Sequence, residues 1–219
     1  MIQHIFKAQI KTMQQRKRAM LINSLSGFKS ANLIGTQNKD GVSNLSIVSS
    51  VFHIGADPAL VGMIVRPDSV PRDTLTNIKN THSYTINHVN SLIWQQAHQT
   101  SARYEESISE FAQVGLKEHY EENIFAPFVA ESQLKYALEL RELKPLEING
   151  TIMVIGEITH IILPNSSIKQ DGYVDIESLD TVAISGLDSY HVTERLGRLS
   201  YAKPDIQLKQ LDVEGDVVS

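Results

Sequence analysis

The sequence predicts an α+β chain, mainly β, built on an antiparallel sheet or barrel with peripheral helices. Three observations carry that prediction. Apolar residues alternate with period two in several runs, and turn signals join neighbouring runs into hairpins. Helical segments fall irregularly between the strands, unlike the steady alternation of a doubly wound parallel sheet. About six strands are expected. No internal repeat or composition shift marks a linker, so residues 1–219 are expected to form a single domain.

From about Lys7 to Leu25, Ile10, Met13, Met20, Leu21 and Leu25 recur at helical spacing, and Gly27 is placed to end that helix. Its basic face, Lys11 with Arg16 to Arg18, reads as solvated surface. In "ANLIGTQNKDGVSNLSIVSS" a strand, a turn at Lys39-Asp40-Gly41 and a second strand follow. Asp-Gly between apolar runs is a strong hairpin signal. "ALVGMIV" (residues 59–65) suits a buried strand, Thr74 to Asn80 a helix with Leu75 and Ile78 on one face, and "SYTINHV" another strand. The polar stretch from about Leu92 to Tyr120 reads as mostly helical, with Ser107 and Glu110 spaced as a capping box. Period two returns from Gln133, with Leu134, Tyr136, Leu138 and Leu140 on one face. "TIMVIGEITHIIL" then reads as a long β-branched strand. The remainder is loop-rich and closes in a loosely held tail over about 204–219.

Composition excludes several classes of function. With no cysteine there is no thiolate nucleophile, disulfide or cysteine metal site. A formal net charge of −5 argues against non-specific nucleic-acid binding. The N-terminus lacks a signal-peptide pattern and no run reaches the ~20 apolar residues of a membrane span, so the cytoplasm is the expected location. There is no GxGxxG, P-loop, GxSxG or HExxH. None of the eight histidines forms an i, i+4 pair, so no metal site is expected. An enzyme built this way would borrow its chemistry from a cofactor.

One stretch does suggest a ligand. In "RPDSVPRDTLTNIKN" (residues 66–80), Arg66 ends a strand and Arg72, Asp73 and Thr74 open a helix. Unpaired N–H groups and the helix dipole favour an anion there, and arginine's planar fork suits two phosphate oxygens. Asp73 reads as the helix cap. Just upstream, "SNLSIVSS" offers Asn44, Ser46, Ser49 and Ser50, polar but uncharged. Two readings of Ser49 and Ser50 stand: contact with a bound molecule, or hydroxyls that satisfy strand-end backbone. Arg72 with Asp73 also reads as a surface ion pair, worth ~0–1 kcal/mol.

The ordered set "NLSIVSSVFHIGADPALVGMIVRP", "RDTLTNI", "SYTINHV", "SEFAQVGL" and "NGTIMVIGEITHIIL" resembles the flavin reductase-like proteins with an FMN-binding split β-barrel. The similarity runs from about Ser24 to Leu163, and more weakly to Tyr201. It implies a Greek-key-type split barrel, FMN as cofactor, and a homodimer with the cofactor near the interface. By that resemblance Asn44, Leu45 and Ser46 lie along the isoalloxazine ring, and Ser49 and Ser50 approach the ring or ribityl chain. Arg66, Arg72 and Thr74 hold the phosphate, with Asp73 beside them. Ser101 and Arg103 turn toward the cofactor, and Arg198 and Tyr201 border the substrate side. The implied activity passes hydride from NAD(P)H to FMN for an acceptor or partner, and requires no named catalytic residue. The alternative is a non-catalytic FMN-binding or electron-transfer flavoprotein without nicotinamide activity. The polar stretch "VNSLIWQQAHQTSA" and the long C-terminal third depart from the family pattern.

Overall fold

Alternating apolar residues build a seven-stranded antiparallel sheet in the computed structural model, which describes residues 1–67, 72–105 and 107–218. In chain order the elements are α1 (Lys7–Thr12), α2 (Gln15–Ser24), β1 (Lys29–Ser30), β2 (Asn32–Gln37), β3 (Ser43–Val48), β4 (Phe52–Ala56) and β5 (Ala59–Val65). Next come α3 (Asp73–Thr81), β6 (Ser83–His88), α4 (Trp94–Gln99), α5 (Glu110–Val114), β7 (Glu118–His119), β8 (Phe128–Val129), β9 (Lys135–Leu146) and β10 (Thr151–Ile162). The last strands are β11 (Val182–Ser185), β12 (Ser189–Val192), β13 (Arg198–Leu199) and β14 (Gln210–Leu211).

The large sheet has the order β3-β2-β6-β9-β10-β5-β4, with every neighbour antiparallel. Its edges, β3 and β4, are consecutive in the chain and separated only by Ser49, Ser50 and Val51. One face of β2, β5, β6, β9 and β10 surrounds a single apolar cluster that includes Ile34, Met63, Ile86, Leu138 and Val154. The sheet therefore curls into a barrel with one unpaired seam, the expected split barrel. Leu75 and Ile78 of α3 pack into the same cluster. Each fully buried Ile or Leu contributes about 1.5–3 kcal/mol, so Ile86→Ala should cost ~2–5 kcal/mol. Curvature has a local cause at Gly156, where the β9–β10 register shifts. A Cβ there would collide with the Tyr84 hydroxyl inside the barrel.

A second cluster covers the outer face of β2 and β3, where Leu33 and Leu45 meet Ala97 of α4, Phe111 of α5 and Val182 of β11. The small sheet β1-β11-β12 borders this side. The hairpin at Lys39–Gly41 is as expected: Asn38 Oδ1 accepts from the N–H groups of Asp40 (3.0 Å) and Val42 (2.9 Å), and Gly41 has φ +87°.

Several expectations need correction. The N-terminal helix is two helices, because Met13 is extended and Gln14 caps α2 by accepting from the Lys17 N–H at 3.3 Å. The sheet has seven strands rather than about six: β4, just ahead of Asp57-Pro58, is largely exposed, so no alternation predicts it. Between Leu92 and Tyr120 the described helices are only α4 and α5. Ser107 does not cap α5: Ser109 holds the cap position without a side-chain bond, and Glu110 turns inward instead. The face of β9 opposite Leu134 and Tyr136 is also buried at its start, since the Lys135 ammonium donates to the Val129 and Ala130 carbonyls at 3.0 and 3.2 Å. Beyond β12 the chain is mostly exposed but tied down by charge. Arg195 pairs with Asp175 and Glu177, Arg198 pairs with Asp171 and lies 4.2 Å above the Tyr173 ring, and Lys169 pairs with Glu214 at 3.1 Å.

Candidate functional site

The site grows from the register of β2 and β3. Thr36 stands opposite Asn44, and Ile34 opposite Ser46, with the first turns of α3 lying against this end of the pair. Asn44 Nδ2 donates to the Thr74 hydroxyl at 2.9 Å and to that of Thr36 at 3.2 Å. The hydroxyls of Ser46 and Thr74 share a hydrogen bond at 2.8 Å, and Asn77 Nδ2 donates to Thr36 at 3.2 Å. Five neutral side chains thus tie the head of α3 to the edge strand. Thr36, Asn44 and Asn77 are buried, and each shared hydrogen bond is worth ~1 kcal/mol while avoiding a costlier unpaired group.

Two arginines bracket the chain segment that leads into α3. Arg66 follows β5, is exposed, and has no partner among the described residues. Arg72 occupies the N-cap position of α3, and its Nε donates to the Pro67 carbonyl at 3.1 Å. Its two terminal nitrogens hold no hydrogen bond among the described residues. Asp73 is therefore not the cap; it is the first helical residue, because Arg72 already has the extended backbone of a cap. Residues 68–71 of the stretch from Arg66 to Asn80 lie outside the described residues. First-turn N–H groups of a helix have no intrahelical acceptor, so this end can take an anion.

The outer edge of β3 is anchored by a residue that the sequence reading missed. Glu110 Oε2, buried, accepts the Leu45 N–H at 2.9 Å. Burial raises its carboxyl above the ordinary range against the pull of that hydrogen bond, and the nearby Asp73 charge raises it further. Ser43 bonds both Ser109 and Glu118 on the same side.

The structure brings together Asn44, Ser46 and Thr74, with Arg72 and Asp73 adjoining in α3. The other expected residues divide. Leu45 sends its side chain into the outer cluster, so only its backbone lies along this edge. Ser50 is engaged: its hydroxyl donates to the Ile64 carbonyl at 2.9 Å and accepts from the Ile64 N–H at 3.2 Å. That is the strand-end reading of Ser50. Ser49 is half-buried with no hydrogen bond on its hydroxyl among the described residues. Ser101 and Arg103 follow α4, are exposed, and make no bond to this group. Arg198 is held in the tail by Asp171 and the Val213 carbonyl, and Tyr201 is exposed. Trp94 rests on Tyr190, ring centres 5.4 Å apart, and His160 lies exposed on β10. Among the described residues no three His, Asp or Glu side chains cluster as a metal site would require. Thr36 and Asn77 carried a faint signal, since Thr36 alternates with Ile34, and Asn77 lies one turn beyond Thr74. Glu110 carried none, because it matched a capping box.

Comparison with known proteins matches residues 25–177 to the model of the flavin reductase like domain family. A split-barrel protein from Shewanella frigidimarina NCIMB 400 that carries a flavin reductase assignment superposes with a TM-score of 0.89 at 55% identity. That match covers 91% of this chain and all of the other. Nitrilotriacetate monooxygenase component B from Bacillus cereus shares the fold at 18% identity and a TM-score of 0.79, covering 91% of this chain and 99% of its own. An uncharacterized protein of Halalkalibacterium halodurans is 26% identical over 156 residues, 68% of this chain and 74% of its own length.

Proposed function

The chain belongs to the flavin reductase-like domain family, and on that premise we propose that it binds FMN and acts as an NAD(P)H-dependent flavin reductase-like oxidoreductase. The observation that carries this reading is the head of α3: a neutral network of Asn44, Ser46 and Thr74, with Arg72 at the N-cap and Arg66 six residues upstream, whose terminal guanidinium nitrogens hold no hydrogen bond among the described residues. That donor set fits a phosphate monoester. Arg66 and Arg72 supply the charge, the first-turn N–H groups supply direction, and the Asn44–Thr74 bond fixes the helix against the strand.

When bound, the flavin supplies the hydride-accepting ring, so the chain needs no nucleophile or general acid of its own. The work of the residues is to bind and orient. Glu110 holds the Leu45 peptide, which sets the line of the β3 edge along which the ring would lie. Ser49, whose hydroxyl holds no hydrogen bond among the described residues, stands at the end of that edge. Ser50 braces the β3–β4 link against β5. Asp73 opens α3 and adds negative charge at the helix start, which the arginines would offset.

Homodimer formation is part of the proposal. Its support is the edge strand β4, whose Phe52 and Ile54 are each 39% exposed on an unpaired edge, a surface that proteins ordinarily cover. A cytoplasmic location is proposed as well; no helix among the described residues is long and apolar enough to cross a membrane.

The test is the visible spectrum of the purified chain titrated with FMN, then mixed anaerobically with NADH and, separately, NADPH. Bleaching of bound flavin by one of them supports the reductase and identifies its donor. Flavin that binds but stays oxidised with both would assign a carrier fed by another protein. No binding would overturn the phosphate role of Arg66, Arg72 and Thr74.

A further inference from the structure

The N-terminal arm, residues 1–28, stands apart from the barrel. No residue of α1 or α2 is buried. The arm is tied to itself, since Arg18 Nη1 donates to the Lys11 carbonyl at 3.1 Å and so joins the two helices. It meets the body at its root, where Lys29 donates to the Asn23 and Gly186 carbonyls at 3.2 and 2.8 Å and the Phe28 ring meets that of His191. Two of its properties lack a counterpart. Five of the chain's 20 Lys and Arg, and none of its 25 Asp and Glu, lie in the arm. Lys7, Lys11, Arg16, Lys17 and Arg18 make no ion pair among the described residues. Arg16 to Arg18 also crowd the start of α2, the helix end that disfavours positive charge, and no acidic residue shares that turn. Ile5, Phe6, Ile22 and Leu25 are exposed as well, Phe6 and Leu25 at 70%. Such an arm calls for a partner that is both acidic and apolar.

That combination decides among partners. Nucleic acid would answer the cations but not Ile5 and Phe6. A membrane surface would need apolar and basic residues on opposite faces of a helix. Here α1 has six residues, and α2 carries its cations in the first turn and Ala19 to Ile22 in the next, spread around the axis.

The chain itself offers the match. Its β7–β8 hairpin, residues 118–131, holds Glu118, Glu121, Glu122 and Glu131 and no Lys or Arg, although Lys117 flanks it. The Tyr120 and Phe125 side chains there are each 46% exposed. The hairpin is firmly rooted: the Val129 N–H donates to Asn87 Oδ1 at 2.9 Å, and the Thr85 hydroxyl donates to the Pro127 carbonyl at 2.6 Å. Glu121 pairs with His119 at 3.0 Å, and Glu122 is exposed and makes no bond among the described residues. Lys135 lies close enough to feel Glu121 and Glu131, but its ammonium is committed to the Val129 and Ala130 carbonyls. Among the described residues no hydrogen bond or ion pair joins the arm to this hairpin within one chain.

We propose that the arm of one copy docks on the β7–β8 hairpin of a second, and the second arm on the first hairpin. The cations of the arm then face Glu121 and Glu122, and its apolar residues face Tyr120 and Phe125. A reciprocal contact of this kind closes a twofold dimer. The proposal rests on the homodimer reading and extends it to surfaces other than β4.

The experiment unfolds full-length ¹⁴N and ¹⁵N chains in urea, mixes them, refolds them together and treats them with a carbodiimide, which joins lysine amines to touching carboxylates. Links from Lys7, Lys11 or Lys17 to Glu121 or Glu122 should appear in mixed-isotope peptide pairs. A second arm uses charge reversal. Arg16→Glu/Lys17→Glu/Arg18→Glu and Glu121→Lys/Glu122→Lys should each self-associate about tenfold or more weakly in sedimentation velocity, because like charges then meet. An equal mixture of the two variants should recover the wild-type affinity, since both contacts become attractive again. Links confined to one isotope, or none, would overturn the proposal, as would a mixture no tighter than either variant alone. If a variant fails to fold, the wild-type links decide alone. A dimer that persists unchanged in both variants refutes the arm and leaves the β4 dimer standing. A wild-type chain that stays monomeric refutes both and leaves the FMN titration to judge the flavin.

Discussion

The barrel interior carries polar residues at both ends of β2, and the two ends are finished differently. At the α3 end, Thr36 is saturated by Asn44 and Asn77, and Thr74 by Asn44 and Ser46. At the other end, Asn32 and His88 face each other, each with an atom that has no partner among the described residues. The strands are the same and the burial is similar, so the difference lies in what sits on top. A helix brings matching donors and acceptors to one end. The other is bordered by Ser30 and an apolar cavity. At the saturated end the polar side chains are tied to one another, and the proposed phosphate contacts fall to the arginines. The unsaturated end leaves two buried polar atoms without a partner among the described residues.

Acid should show the contrast most strongly. The folded state holds His88 neutral with a pKa of about 4, while an unfolded histidine titrates near 6.5. Between those values the unfolded chain binds more protons, so stability is intact above about pH 6.5 and falls as pH drops toward 4. The loss reaches at most about 3 kcal/mol at the lower limit. Urea titrations from pH 7 to 4 should show this slope in the wild type and a shallower one in His88→Phe. Equal slopes would mean that His88 is not held neutral.

The next effect belongs to the other end. Replacing Arg66 and Arg72 together by Ala should weaken FMN binding by about 10- to 100-fold, or 1.4–2.7 kcal/mol. The melting temperature of the FMN-free chain should stay within a degree or two, since exposed charges contribute little to folding. A parallel loss of stability would show that the arginines hold the platform rather than the ligand.

Smaller still is Thr74→Val, which removes the hydrogen-bond partner shared by Asn44 and Ser46. It should destabilise by ~1–2 kcal/mol in denaturant titration. Asn32→Leu should cost less than ~1 kcal/mol or even stabilise, because it exchanges an unpaired buried oxygen for carbon, although the bond to Ser30 is lost. If it proved the costlier of the two, Asn32 would have a partner in solution and the contrast between the ends would vanish.

Much of the barrel was legible because its signals are local. Alternation in "NLIGTQ" and "SYTINH", the Asp40-Gly41 turn and the β-branched run of β10 each specify an element without help from elsewhere. The helix start was legible for the same reason, since Arg72, Asp73 and Thr74 lie together where α3 begins. What failed depends on distant neighbours. Strand β4 is exposed and announces nothing. Glu110 finds its acceptor role through Leu45, 65 residues away. The pairing of Asn32 with His88 is a fact of register, which no single strand encodes.

The link of three residues between β3 and β4 has a mechanical consequence. From Val48 to Phe52 the chain takes four steps, so even fully stretched it spans only ~14 Å. The seam can gape no wider at that point while both strands stay in place, and Ser50, latched to Ile64, takes up part of the slack. The slit thus works as a tethered jaw. Opening at that point is bounded by the tether, and the barrel cannot unroll from there.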